Sequence, residues 1–255
     1  MKIVVTVKQV PARDLQAELA PSGGWIDESG LSFEMNEPDA YALEAALRLK
    51  ESAGGEVIAV SAGPERVQSV LREALAKGAD RAIHVAAEGD AARGLDPALN
   101  AAMLETAVRE EQPELVLTGL QSDDTGSGQT GVVLAARLGW PHATLVMAIE
   151  PGPGEVRVKR ELEGGWYQHI RLPLPAVLTI QSGISRLRYA TLMGIKRART
   201  KEIRRLEAPP AAAGGLRLAG LALPRRSRQT QFLEGSPAEQ AAQLVEKLRF
   251  EARVL

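Results

Sequence analysis

The sequence has 255 residues, of which 45% are hydrophobic and 25% charged, and this allows one large α/β domain or one domain with an appended arm. The formal net charge of −1 favours neither nucleic acid nor a membrane surface as a partner. With no cysteine, the chain can form no disulfide, no thiol redox centre and no Cys-ligated metal site.

The chain opens on a β-branched run at residues 3–7, which is too short for a signal peptide and predicts a buried first strand. Residues 8–30 contain prolines and a glycine pair, so we predict a long loop that includes a small hairpin. No apolar run approaches the length of a membrane span, and we therefore expect a cytoplasmic protein.

Alternating strands and helices follow. Asn36 precedes Pro38 and Asp39, a pattern typical of a helix N-cap and first turn. Strands are predicted at residues 56–61, 81–86 and 115–119, with a helix before and after each. This alternation predicts an α/β fold with a doubly wound, mostly parallel sheet and right-handed crossovers. Ligands of such folds lie beyond the carboxyl ends of the strands.

A glycine-rich loop, residues 119–131 (GLQSDDTGSGQTG), joins the fourth strand to a helix predicted at residues 132–138. Strand, glycine-rich loop and helix form the layout of a phosphate site. Glycines let the backbone approach an anion, and the first helical turn offers free N–H groups. The sequence therefore predicts an adenine-nucleotide site, with a capped surface loop as the alternative.

Two common nucleotide motifs fit the loop poorly. Gly126, Gly128 and Gly131 match G-x-G-x-x-G, but five residues separate them from the strand segment, unlike a Rossmann turn. A Walker sequence is absent. Asp123 and Asp124 would repel a phosphate unless they face the ribose or cap the helix. Two adjacent carboxylates and three scattered histidines make a poor metal site.

After residue 142 the pattern changes. A strand is predicted at residues 143–149, followed by an antiparallel hairpin of residues 155–162 and 166–172 and one more buried strand at residues 175–180. These elements add an antiparallel margin to the parallel core.

The C-terminal part begins with basic residues crowded between positions 186 and 205. Residues 209–215 form a linker pattern, and a second basic cluster contains Arg225, Arg226 and Arg228. Ser236 predicts the N-cap of a final helix at residues 238–250, which is marginal in isolation. We predict a domain of residues 1–207 and an arm of residues 208–255 that docks on another chain.

Several stretches, in one order along residues 1–205, resemble the beta subunit of an electron-transfer flavoprotein. They are IVVTVKQV (residues 3–10), MN (35–36), EVIAVSAGP (56–64), AKGADRAIHV (76–85), the glycine-rich loop, LPLPAV (172–177) and RYATL (188–192).

This resemblance implies a fold of the adenine-nucleotide-binding type and a heterodimer. The alpha subunit would hold the redox FAD, and the beta subunit would bury a structural AMP without catalytic residues of its own. Acyl-CoA and other flavoprotein dehydrogenases would supply electrons, as in fatty acid oxidation, and a quinone oxidoreductase would accept them.

The family pattern also implies site residues. The implied AMP contacts are Thr6, Asn36, Ala62, Ser122, Asp123, Asp124, Thr125, Gly126, Ser127, Gly128, Gln129, Thr130, Gly131, Val132 and Val133. The implied docking segment for dehydrogenases is Tyr189, Ala190, Thr191 and Leu192, with Leu192 as the apolar anchor. From the residues alone, Tyr189 and Leu192 are as readily explained as core residues of a short helix.

The chain departs from the family at two positions. Glu37 stands between Asn36 and the expected proline, and Gly128 stands where many members carry asparagine. The sequence from Gln129 to Val132 favours the AMP-binding members over those that hold a second FAD.

Two other functions use the same loop. One is an adenine-nucleotide-dependent hydrolase or ligase, which needs a cation at the phosphates or a metal cluster. The other is a nucleotide-sensing homodimer without flavin.

Overall fold

The computed structural model describes residues 1–14, 18–210, 215–216, 218–223 and 230–254. In chain order the elements of this part are β1 (Lys2–Thr6), β2 (Gln9–Pro11), β3 (Phe33–Met35), α1 (Glu37–Ala53), β4 (Glu56–Gly63), α2 (Gln68–Lys77), β5 (Arg81–Ala86), α3 (Gly89–Ala92), α4 (Pro97–Glu111), β6 (Leu115–Gly119), α5 (Thr130–Leu138), β7 (His142–Gly152), β8 (Glu155–Glu161), β9 (Tyr167–Pro173), β10 (Ala176–Ile180), α6 (Leu192–Thr200), β11 (Ile203–Glu207) and α7 (Pro237–Phe250).

Nine of these strands form one sheet in the order β11-β5-β4-β1-β6-β10-β7-β8-β9. The first seven strands in this order run parallel, and β8 and β9 run antiparallel at one margin. The structure therefore confirms the predicted mostly parallel sheet and its antiparallel margin.

Helices cover both faces of the parallel strands. Ile3, Val4 and Val5 of β1 are all fully buried, although successive side chains of a strand point to opposite faces. Ile3 and Val5 pack into the core beneath α1 and α2, whereas Val4 packs into the core beneath α4 and α5. Burial on both faces explains why this strand is a continuous apolar run.

The winding of the sheet reverses next to β1. From β1 the chain adds β4 and then β5 on one side, and it then crosses over to place β6 on the other side. β1 and β6 are direct neighbours, with Ile3 opposite Leu115. A crevice opens beyond the carboxyl ends of two strands at such a switch point, and this is the common ligand site of doubly wound sheets.

Two strands differ from the sequence prediction. Residues 203–207, predicted only as part of the basic segment, form the edge strand β11 paired in parallel with β5. Two adjacent arginines, Arg204 and Arg205, hid its short apolar pattern. A small hairpin is present within residues 8–30, as predicted, with an antiparallel bridge between Leu19 and Ile26. The sequence did not predict the separate two-stranded sheet of β2 and β3, whose second strand lies at Phe33–Met35.

The C-terminal arm is partly described. α7 begins at Pro237 with a capping box between Ser236 and Glu239, and every residue of this helix is at least partly exposed. Residues 211–214 of the predicted linker and the basic cluster of Arg225, Arg226 and Arg228 lie outside the described residues. No helix in the described ranges is long and apolar enough to cross a membrane.

Candidate functional site

A cleft of about 900 Å³ opens at the switch point beyond the ends of β1, β4 and β6. Twelve of the fifteen residues implied as nucleotide contacts line it: Thr6, Asn36, Ala62, Ser122, Asp123, Asp124, Thr125, Ser127, Gly128, Gln129, Thr130 and Gly131. Gly126, Val132 and Val133 do not line it, and Val133 packs against the core. Four separate parts of the chain thus meet at one crevice.

Asp39 connects the chain just after β1 to the end of β6 at the base of the cleft. Its Oδ2 accepts a hydrogen bond from the backbone N–H of Lys8 (2.8 Å), and its Oδ1 accepts one from the N–H of Gly119 (2.8 Å). The carboxyl group is buried, and this burial raises its pKa to about 6, although the backbone hydrogen bonds from Lys8 and Gly119 act in the opposite direction. Asp39 therefore holds the residues at the carboxyl ends of β1 and β6 together.

Asn36 supports the glycine-rich loop from below. Its side-chain Nδ2 donates to the carbonyl of Gln121 (3.0 Å), and its Oδ1 accepts from the N–H of Asp123 (2.9 Å). The side chain is buried, and both of its polar atoms bond to the loop backbone. The expected direct contact of Asn36 with a nucleotide stays a prediction, whereas its support of the loop is visible.

The two adjacent carboxylates of the loop are each paired with a cation. The Lys8 ammonium lies 2.8 Å from Oδ1 of Asp124, and Arg13 lies 3.2 Å from Oδ2 of Asp123. Burial alone would raise the pKa of Asp124, but Lys8, Ser122 and the N–H of Thr125 outweigh it and lower the pKa. Lys8 offsets the charge of Asp124, whereas Arg13 is shared between Asp123 and Glu37, so the repulsion of an anionic ligand is reduced.

α5 begins at the cleft with an open N-terminus. In the described residues no side chain caps this helix, and Thr130 and Gly131 of its first turn line the cleft. The helix is nine residues long, so its first turn offers N–H donors and positive potential to an anion. This geometry can bind a phosphate group.

The glycines of the loop serve different purposes. Gly126 and Gly128 have φ of 62° and 63°, a conformation that L side chains rarely adopt. Gly131 instead lies in close packing, because an added Cβ would come within 2.6 Å of Oγ1 of Thr118 and 2.7 Å of Cγ2 of Thr179. The loop needs Gly126 and Gly128 for its turns, and it needs Gly131 so that α5 can pack against β6 and β10.

Several cleft residues were not singled out from the sequence. Lys8, Arg13 and Arg66 line the cleft, and Arg66 lies 4.2 Å from the ring centroid of Phe33. Trp25 also lines it and donates to Oε1 of Glu28 (2.9 Å). The only local signal was that Lys8 directly follows the first strand and so lies at its carboxyl end. Leu218 and Leu221 of the arm also contribute to the lining.

The implied docking segment is exposed. The relative side-chain exposure is 92% for Tyr189 and 86% for Leu192, and Leu192 is the first residue of α6. The alternative that both residues belong to the core is therefore wrong. Ala190 and Thr191 lie between them, and the Thr191 hydroxyl caps α6 by accepting from the N–H of Gly194 (3.0 Å).

The described residues contain no group of three or more His, Asp or Glu side chains placed to hold a metal ion. The fold and the cleft thus define an α/β protein with a crevice at the switch point of a doubly wound sheet.

Comparison with known proteins identifies the family. The family profile described as the electron transfer flavoprotein domain matches residues 23–211. The chain is 40% identical to the electron transfer flavoprotein subunit beta of Methylophilus methylotrophus, with 96% of this chain and 97% of the relative covered. It is 36% identical to that of Bradyrhizobium diazoefficiens, with both chains covered completely, and 37% identical to the human subunit, with 80% of each covered.

The chain therefore belongs to the electron transfer flavoprotein family and, within it, to the beta subunits. This result confirms the resemblance found in the sequence.

Proposed function

We propose that this chain binds AMP in the switch-point cleft and pairs with an alpha subunit that holds FAD. The FAD would carry the electrons, and this chain would contribute binding surfaces. The observation that carries the proposal is the open N-terminus of α5, which lines the cleft next to the glycine-rich loop. A helix start of this kind favours a phosphate group.

The chemistry of the cleft supports a nucleotide as its ligand. Hydroxyl groups of Thr125, Ser127 and Thr130 lie along the lining and can donate to phosphate or ribose oxygens. The Lys8 ammonium pairs with Asp124 and so reduces the repulsion between this acid and an anionic ligand. The volume of about 900 Å³ leaves ample room for a mononucleotide.

A structural role for the nucleotide agrees better with this site than nucleotide turnover does. A hydrolase or ligase needs a cation that is free to follow the transferring phosphate or a bound metal. The Lys8 ammonium is engaged by Asp124, and the described residues form no metal cluster. We therefore propose an electron-carrier subunit without catalytic residues of its own.

We further propose that Tyr189, Ala190, Thr191 and Leu192 dock flavoprotein dehydrogenases, including acyl-CoA dehydrogenases of fatty acid oxidation. An exposed leucine at the start of a helix can fill an apolar pocket of a partner. The electrons would then leave the FAD for a quinone oxidoreductase. The cytoplasm stays our predicted compartment, although a rice relative is named as mitochondrial.

The nucleotide content of the purified complex tests the proposal. We expect this chain, co-expressed with its alpha subunit, to yield a yellow heterodimer. Gentle denaturation should release one AMP and one FAD per heterodimer, measured by chromatography of the supernatant. Release of ADP after incubation with ATP would support the hydrolase. Release of two FAD and no AMP per heterodimer would show that the cleft holds a second FAD. A colourless homodimer would support the nucleotide sensor.

A further inference from the structure

The segment that carries Leu192 is bound to α1 by a network of ion pairs. The guanidinium of Arg188 donates through Nε to Oε2 of Glu44 (2.8 Å) and through Nη1 to Oε1 of Glu51 (2.6 Å). Its Nη2 reaches the second oxygen of each carboxylate, Oε1 of Glu44 (3.2 Å) and Oε2 of Glu51 (3.1 Å). One arginine thus bridges two carboxylates that are seven residues apart on one helix.

Glu44 is the buried centre of this network, with a side-chain exposure of 4%. Burial alone would raise the pKa of Glu44, but hydrogen bonds from Arg188 and Arg48 outweigh burial and lower it. Arg48 also donates to the carbonyl of Arg186 (3.1 Å). The chain before Leu192 is therefore attached to α1 at two successive points.

The other end of the segment is fixed by α6. Thr191 caps this helix, and Gly194 lies so close to the carbonyl of Ala76 on α2 that a Cβ would overlap it. Arg72 of α2 donates to the carbonyl of Ala198 (2.6 Å) near the end of α6. Only Tyr189 and Ala190 lie between the Arg188 network and the helix cap.

We propose that Arg188 is a positioning residue for partner docking: its contacts with Glu44 and Glu51 hold the segment from Tyr189 to Leu192 in the conformation that a dehydrogenase binds. Ordering a loop on association costs affinity, and a loop that is already ordered avoids that cost. This inference rests on the proposed docking role of Leu192.

The first test replaces Arg188 in the intact heterodimer. With a purified acyl-CoA dehydrogenase and its substrate, we expect Arg188→Gln to raise the KM for the dehydrogenase–flavoprotein reaction about tenfold. The rate at saturation should stay within about twofold, because the flavin is untouched. Glu44 keeps Arg48 as its partner, so the fold should survive.

A matched control removes the same charge elsewhere in the basic segment. Arg204 on β11 pairs with Glu110 and Glu111 on α4, which covers the opposite face of the sheet from α1. Arg204→Gln should leave the KM within about twofold. A similar rise in KM for both variants would mean that Arg188 acts only through electrostatic steering, and it would overturn the proposal.

A double-mutant cycle separates positioning from direct contact. Leu192→Ala should lower kcat/KM at least about tenfold, and Arg188→Gln should then have less than about a twofold effect in the Leu192→Ala background. Additive effects would mean that Arg188 contacts the partner itself and would overturn the inference. If Leu192→Ala has no effect, the proposed docking role fails, and the inference fails with it.

Hydrogen exchange gives a readout that needs no partner. In the heterodimer, Arg188→Gln should accelerate exchange of the amide at position 188, since the N–H of Arg188 also donates to Glu44 (3.3 Å). If Arg188→Gln does not fold, the milder Glu51→Ala removes the two outer contacts at an exposed carboxylate and should give a smaller effect of the same kind. Unchanged exchange together with an unchanged KM in a folded variant would contradict the proposal.

Discussion

At the scale of single residues, Asp39 is the clearest case of a side chain whose role is set by its surroundings. Its position in the first turn of α1 is ordinary for an acid, yet its carboxylate binds the N–H groups of Lys8 and Gly119 from two different strand ends. Burial of this charge opposes ionisation, and the two hydrogen bonds favour it. The balance leaves the pKa at about 6.

Asp39 should make stability depend on pH in a direction unusual for a carboxylate. Its folded-state pKa lies above the ordinary 3.8, so the folded protein binds the proton more tightly than the unfolded chain. Its contribution to the free energy of unfolding should grow as the pH falls through 6 and level off below about 4, by roughly 3 kcal/mol in all. We expect the stability difference between the wild type and Asp39→Asn to shift in favour of the wild type from pH 7 to pH 5.

Urea unfolding at several pH values measures this difference. Asp96 provides a control of opposite sign, because hydrogen bonds from backbone N–H groups, including that of Leu216, outweigh burial and lower its pKa. Any stability that Asp96 contributes should be lost as the pH falls, so the advantage of the wild type over Asp96→Asn should shrink. A pH-independent difference for Asp39→Asn would contradict the assignment.

At the scale of elements, the glycine-rich loop and α5 form one unit with two different requirements. Gly128 needs its left-handed φ of 63°, and its added Cβ would meet nothing closer than 3.8 Å. Position 131 has no room for a side chain, because a Cβ there would collide with Thr118 and Thr179. Conformational strain and overpacking are separate penalties.

Alanine substitutions should distinguish these penalties. We expect Gly131→Ala to destabilise the heterodimer by about 1–3 kcal/mol through overpacking, and to release AMP because α5 shifts. Gly128→Ala should cost about 1–2 kcal/mol through backbone strain alone. Thermal unfolding and nucleotide content of both variants provide the measurement. Full AMP retention in a destabilised Gly131→Ala would mean that the seating of α5 does not control the site.

At the scale of the whole molecule, the arm has little packing within this chain. α7 exposes apolar side chains, with Leu244, Val245 and Phe250 all about half exposed or more. A helix of 14 residues is marginal alone, and its capping box stabilises only one end. Such a helix needs a partner surface, and the alpha subunit is the one we propose.

Two truncations should separate the functions of the arm. Ending the chain after residue 230 removes α7, and we expect a folded subunit whose affinity for the alpha subunit falls at least about tenfold. Ending it after residue 207 also removes Leu218 and Leu221 from the cleft and should reduce AMP retention as well. Analytical ultracentrifugation with the alpha subunit measures pairing. Full-strength pairing of the shorter chain would show that the arm has another role.

The sequence by itself determined the elements and their type, because hydrophobic periodicity, caps and glycines act over a few residues. It predicted strand β1, the alternation of strands and helices and the glycine-rich loop before α5. It missed β11, because two adjacent arginines separate its two apolar residues. A strand that draws its stability from pairing with β5 carries little signal of its own.

Only the tertiary structure decided which side chains meet. Lys8 and Asp124 are 116 residues apart, Arg13 and Asp123 are 110 apart, and Arg188 and Glu44 are 144 apart. Such contacts depend on strand order and helix packing, and the local periodicity of the sequence carries no information about either. In the sequence, the adjacent acids of the loop therefore looked unfavourable to an anion. The folded chain brings to them Lys8, which follows β1, and Arg13, which follows β2.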